Sequence, residues 1–436
     1  MRSLAHQQLL ALLPRPDRSP ELVARLAAAP ADVLADLVLD QAQPWWRRQP
    51  CALALRGRLP AGHAARLLER ACDPDDVPEV RRALLDVLSA DATASVAAPL
   101  LTWLREQDGR AQKYGVGEAI LAARARLRDL TALPALAILA ADPWDHRSAV
   151  GEAAIDDLIA AHGLDPVLRA LGAASLTALA FAADTAALRL LGVRLLDRTG
   201  GDITPALADS DFLVARRAYT SLITSAIPDD AALWQLHAAG RDAACLDPTL
   251  PPGPARAGIW ALCVLHGRGH DVRDAWRALG CPRVPLDGVP DDVRRAILRE
   301  YAPGQRQTDP RWLLEAACLD LGAPPDEAQQ LARALAALTG AGLSPQPPRS
   351  VSEIYQQGDG TYHDIAFTGG TASISSLGPF ATTEPVVPAA RDALAAAGFR
   401  VIDPALAATE FAGLHVYHFG RRDPLSVGEL LFYWQD

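Results

Sequence analysis

The 436-residue chain is nearly devoid of lysine: Lys113 stands alone, and arginine supplies the other basic side chains. Such a bias reads as the codon usage of a GC-rich genome rather than as a selected role for arginine. Methionine occurs once and aromatic residues make up only 6% of the chain, which argues against a large sheet core. Six cysteines are present (Cys51, Cys72, Cys245, Cys263, Cys281 and Cys318), with no C-x-x-C pair among them. That removes zinc ribbons and dithiol redox motifs, and reads as buried thiols in a reducing compartment. Long apolar runs are missing too: residues 170–183 form the longest uncharged apolar stretch, too short to cross a bilayer. The first turns carry Arg2, His6 and two glutamines before Pro14, so no signal peptide is read there, and a bacterial cytoplasm is the expected location. The net charge is −10, against the footprint of a protein that coats nucleic acid. The patterns G-x-S-x-G, H-E-x-x-H and the Rossmann glycines do not occur.

What is abundant is helix-forming alanine, leucine and arginine, arranged in a recurring unit. Residues 73–88 read DPDDVPEVRRALLDVL. The aspartates suit a turn and a helix cap, Pro78 suits a first helical turn, and Glu79 faces the positive end of the helix dipole. Val80, Ala83, Leu84, Val87 and Leu88 then follow helical spacing and lay down one apolar stripe. Arg81, Arg82 and Asp86 fall on other faces. Related wording returns at residues 209–223 (DSDFLVARRAYTSLI), 291–298 (DDVRRAIL) and, more loosely, 142–155.

An aspartate turn followed by Val-Arg-Arg-Ala resembles the second helix of a HEAT repeat, particularly the PBS-lyase-like variety, over residues 60–340. The resemblance implies a turn aspartate bonded to a helix arginine along the stack, carried here to Asp76 with Arg81 and to Asp211 with Arg216. It informs fold far more than activity. The expected fold class is mostly α: a right-handed α-solenoid of HEAT-like helix pairs followed by a small α+β C-terminal domain.

Along the chain, residues 1–60 give short helical patterns separated by Pro14, Pro20, Pro30 and Pro44. The best solenoid follows, with helices predicted at 61–71, 78–89, 94–107, 112–128, 131–140, 147–161, 164–171, 174–182, 184–198, 211–225 and 229–239. Residues 241–256 carry four prolines and interrupt the period, and helices resume to 341. Residues 343–352, LSPQPPRSVS, mark a boundary. The expected domains are therefore 1–240, 241–342 and 350–436. The last is a different object: it holds 11 of the 24 aromatics and ten acids against four arginines. It predicts a hairpin at 361–375 around Gly369-Gly370, a helix at 388–397, strands at 399–402 and 414–419, and a final helix or strand after Pro424. Such a domain would cap the end of a helical stack.

Candidate chemistry is sparse. Cys263, His266 and His270 share a helix face, but flanking glycines favour a packed helix end over zinc. His415 and His418 face opposite sides of a predicted strand, with His363 the remaining candidate partner. Residues 368–378 are glycine- and serine-rich, yet a hairpin explains them better than an anion loop. Asp156-Asp157 and Asp291-Asp292 are sequence neighbours, suited to helix surfaces or caps.

Two functional readings follow. The preferred one is a non-catalytic scaffold or adaptor, including an immunity-like role, that binds a protein partner along the solenoid surface. Candidate contacts are Trp45 and Trp46 in the QPWWRR run, Trp144 and Arg147, and Arg216, Arg217 and Tyr219, with the second-helix residues facing the concave side. No metal, small-molecule cofactor or membrane is implied. The alternative is a DNA alkyl-base glycosylase of the HEAT-like kind, with Trp144, Asp145 and Arg147 or the Trp45-Trp46 pair as its equipment; the acidic balance and single lysine stand against it.

Overall fold

The computed structural model describes residues 9–13, 16, 19–91, 93–113, 115–142, 144–241, 250–302, 307, 309–356, 358–414, 416 and 424–435. The chain divides between Gly192 and Val193 into two units.

In the first unit, α1 (Pro20–Leu26), α2 (Ala31–Leu39) and α3 (Trp45–Leu53) start where proline pre-sets the backbone: Pro20 is the first helical residue, and Pro30 and Pro44 are the residues before α2 and α3. They lead into α4 (Ala64–Cys72), α5 (Pro78–Ala90), α6 (Ala94–Glu106), α7 (Val116–Arg126), α8 (Leu133–Ala140), α9 (Asp145–His162), α10 (Leu164–Ala170) and α11 (Leu176–Ala182). Each helix packs mainly on near neighbours in sequence: α3 on α2 and α5, α4 on α5, α7 on α5 and α9, α9 on α8. This is a stack of helix pairs, solenoid-like in its local connectivity. The stripe predicted on α5 is the buried one, since Val80, Ala83, Leu84, Val87 and Leu88 all join a core that runs from Leu9 to Ala123.

Two local devices tie the pairs together. The first is a reach of ten residues from an arginine to a carbonyl upstream. Arg48 Nε donates to Val38 O at 2.9 Å, Arg81 Nε to Ala71 O at 3.2 Å and, in the second unit, Arg294 Nη2 to Val284 O at 2.9 Å. For Arg48 and Arg81 this satisfies a carbonyl at the end of the preceding helix, which has no intrahelical partner. The expected Asp76–Arg81 bond gives way to a different pairing. Asp76 accepts from both Nη1 and Nη2 of Arg48, at 2.9 and 2.5 Å, while Arg81 is turned onto Ala71 O. Asp211, similarly, spends its carboxylate as a cap on Leu213 N and Val214 N. The second device is glycine. A Cβ on Gly151 of α9 would meet Ala140 N of α8 at 2.5 Å, and one on Gly192 would meet Ala180 N of α11 at 2.3 Å. These helices approach backbone to backbone.

The second unit takes up the last turns of α12 (Ala186–Arg198) and continues with α13 (Phe212–Thr224), α14 (Asp230–Arg241), α15 (Pro254–Gly267), α16 (Arg273–Ala278), α17 (Asp291–Tyr301), α18 (Pro310–Cys318) and α19 (Glu327–Gly340). Helix α15 is buried throughout residues 255–265, all apolar or glycine except Arg256, and is wedged against α13, α14 and α18. Its centre is Trp260, whose ring lies 5.0 Å from that of Tyr219.

The C-terminal part is α+β. A five-stranded sheet has the order β1 (Arg349–Ser350), β3 (Tyr362–Phe367), β4 (Gly370–Ser375), β5 (Phe380–Glu384), β6 (Arg400–Val401), antiparallel except for the β5–β6 edge. Two small two-stranded ladders join β2 (Asp359–Gly360) to β9 (Trp434–Gln435), and β7 (Glu410–Phe411) to β8 (Leu425–Ser426). The predicted hairpin is present, but Gly370 is its first strand residue, paired with Phe367, so the turn is Thr368-Gly369. Strand β5, FATTE, was not read from sequence. The predicted helix appears as α21 (Pro388–Ala396), after α20 (Val351–Tyr355); α22 (Pro404–Ala407) and α23 (Val427–Leu431) follow. The predicted strand at 414–419, including His415 and His418, lies largely outside the described residues, as does Cys245.

One face of the sheet buries Ile365, Phe367, Ala372, Ile374 and Ala381 against Ala334 and Leu338 of α19 and Ala390 and Leu394 of α21. Around Leu377 and Phe380 a second core forms, in which Phe411, Leu425, Leu430 and Leu431 mix with Val293, Ile297 and Trp312 of α17 and α18. Trp312 stacks on Phe411 at 5.4 Å and its Nε1 donates to Ala412 O at 3.1 Å. Tyr301 Oη donates to Leu430 O at 2.7 Å.

Candidate functional site

The side chains named from sequence fall into three groups. Trp45 and Trp46 open α3 and pack half-buried against the first core, with Arg47 lying 4.8 Å over the Trp46 ring. Arg48, the last residue of that run, is buried in the Asp76 pair. In α13, Tyr219 is 6% exposed and packed on Trp260, so it faces the core, while Arg216 and Arg217 are half-buried beside it. Trp144 is different: 45% exposed, it stands before the first residue of α9 with its N–H held at 2.9 Å by Asp142 Oδ1. Arg147, one turn on, pairs with Glu118 at 2.7 Å and Asp142 at 3.0 Å.

Arg147 and Glu118 line two cavities. The first, of about 280 Å³, runs between α7, α8 and the turn after α6, with Ile120, Leu121, Ala135 and Ile138 among its walls. Ile138 is 68% exposed, a large apolar side chain left in water. The second, of about 270 Å³, lies between α5, α7 and α9 and is lined by Arg82, Asp86, Gly115, Glu118, Ala119, Ala122, Arg126, His146, Arg147 and Val150. Residues 115, 119, 122 and 126 share one face of α7 by helical spacing. From sequence, Arg82 and Asp86 fall on faces other than the apolar stripe, and no pattern singles out Arg126, Glu118 or Ile138. The signal available was the four-residue spacing of Arg82 and Asp86, which also describes an ordinary solvated helix face.

The charges in the second cavity are unevenly matched. Arg126 binds Asp86 at 2.8 Å and Arg147 is held as above. Arg82 makes no ion pair among the described residues, and its Nε is buried without a hydrogen-bond acceptor. At the other end of α7 the balance is complete. Asp129 receives Arg124 Nε at 2.8 Å, Arg105 Nη2 at 2.8 Å and Thr131 Oγ1 at 2.7 Å. Burial alone would raise its pKa, but the bonds from Arg105, Thr131 and Arg124 outweigh that and hold the carboxyl well below its usual range.

The other candidates disperse. Cys263 is buried with its thiol toward Pro310 O, and burial pushes its pKa well up. His270 points instead to Asp230, 2.7 Å away, and His266 is exposed. His363 lies 3.5 Å from Glu327. Among the described residues no three His, Cys, Asp or Glu side chains gather as metal ligands, and no helix is long and apolar enough to cross a membrane. Compared with family models, with curated proteins and with solved structures, the chain matches none of them.

Proposed function

We propose that the protein is a HEAT-like scaffold or adaptor that binds a protein partner, and that the α8–α9 corner is a principal contact. The observation that carries this reading is the exposure of Ile138 (68%) and Trp144 (45%) on either side of that turn, next to Arg147. Tryptophan and arginine are the residue types most enriched among energetic anchors of protein interfaces, and an aliphatic side chain beside a shallow apolar cavity supplies the pocket they need. The ion pairs from Arg147 to Glu118 and Asp142 fix the guanidinium in place before any partner arrives, which lowers the ordering cost of binding. An immunity-like role is one form of this reading, since neutralising a partner requires a surface and no chemistry.

The test is affinity capture from the native host with the full chain and with an I138D/W144A variant. A protein retained by the wild type and lost from the folded variant supports the corner as the contact. Equal recovery on both removes it.

A further inference from the structure

The C-terminal sheet has one covered face and one open face. Side chains alternate along β3, so Ile365 and Phe367 turn toward α19 and α21, while Tyr362 and Asp364 turn the other way. On that other face Asp364, Ser373 and Thr382 form one row across β3, β4 and β5. Ala366, Thr371 and Glu384 form the next. Among the described residues nothing covers these two rows: each of the six side chains is half-buried or exposed. Aromatic rings bound the face at its Tyr362 end. Tyr362 lies edge-on to Phe432 at 6.2 Å, and Tyr355, 51% exposed, lies over Trp434 at 4.2 Å. Burial, then Asp364 and Tyr355, push the Tyr362 phenol up to about 12, so the three side chains share one neighbourhood.

The negative charge on this face is not matched from within. Asp364 Oδ1 accepts from Ser373 Oγ at 2.6 Å, and the carboxylate makes no ion pair among the described residues. Burial raises its pKa against the Ser373 bond, and Glu384 adds to the rise. Arg349 stands opposite Asp364 in register but turns its guanidinium to Glu353 O at 3.4 Å. We propose that this open face docks an arginine side chain from an extended segment of a protein partner, its guanidinium held between Asp364 and the Tyr355 ring. A guanidinium suits both walls, since its plane stacks on an aromatic ring and its N–H fork bonds a carboxylate. An ammonium supplies the charge without the plane or the fork. Glu384, one row along, adds a second negative charge for a basic segment. The proposal rests on the reading that the chain binds a protein, and not on the α8–α9 corner.

The experiment titrates the full chain into a labelled arginine-glycine repeat peptide and its lysine-glycine counterpart, read by fluorescence anisotropy at one ionic strength. Wild type, Y355A, D364N and the I138D/W144A variant are compared. Wild type should saturate with the arginine peptide at about 1 mM or tighter, and bind the lysine peptide at least about threefold more weakly. Y355A should weaken the arginine peptide about threefold and D364N about tenfold. I138D/W144A should bind it as wild type does, so the two contacts fail separately. Absence of saturable binding, or equal affinity for both peptides, would leave only the net charge of the chain and overturns the site. Full affinity in folded Y355A and D364N, or loss of binding in I138D/W144A, overturns it as well. If D364N does not fold, Y355A, altered at an exposed ring, decides by the same criterion.

Discussion

Arg48 and Asp76, separated by 28 residues in sequence, form a bidentate pair with both side chains 3% exposed. The arginine belongs to α3 and the aspartate to the turn before α5, so the bond joins one helix pair to the next. A buried pair that loses one member leaves the other charge unpaired in the core. D76N is therefore expected to lose about 3 kcal/mol of unfolding free energy, read by denaturant titration, and an R48M/D76L double substitution to recover part of it. A loss below about 0.5 kcal/mol for D76N would show the pair to be as dispensable as a surface bridge.

Gly151 sets how closely α9 can lie on α8. Adding one methyl against the Ala140 backbone forces the helices apart, since backbone does not yield as a long side chain does. G151A should cost about 2 kcal/mol and G151V more, measured by thermal or chemical denaturation. An unchanged midpoint for G151A would mean that the two helices are not in backbone contact.

Asp129 gives a pH dependence of definite sign. Its carboxyl is held below the value of about 3.9 that it takes in an unfolded chain. The stabilisation is therefore complete above that value and lost as pH falls through the folded-state titration. Wild type should lose stability between about pH 5 and pH 2 more steeply than D129N, which is less stable at neutral pH. Parallel curves for the two proteins would contradict this.

Burial pushes the Cys51 thiol up to about 12. At neutral pH almost none of it is thiolate, and access is closed as well. Alkylation of Cys51 should be undetectable by mass spectrometry in the folded chain and rapid in denaturant.

Much of the helical part was legible because short-range rules were sufficient there. The stripe on α5 and the proline and glycine punctuation set helix ends to within a few residues, as at 78–89 against Pro78–Ala90. Partners across the stack were not legible. Arg81 and Arg48 look alike in sequence, and only the stack shows that Asp76 is nearer the latter. Strand β5 escaped because its pattern, FATTE, is too short to show a period and acquires strand character from its neighbours β4 and β6. Of the candidate contacts, Trp144 lies exposed, whereas Tyr219 is consumed in packing against Trp260, a contact between α13 and α15 that no local pattern announces.

The stacking of Trp312 on Phe411 means that the C-terminal strands and the preceding helices are not separable cassettes. A gene cut near residue 345 would leave Val293, Ile297 and Trp312 facing water, and the severed piece would carry Phe411, Leu430 and Leu431 uncovered. Both fragments should be insoluble apart and rescue each other only when co-expressed. For the same reason recombination cannot swap this tail onto another helical array unless α17 and α18 travel with it.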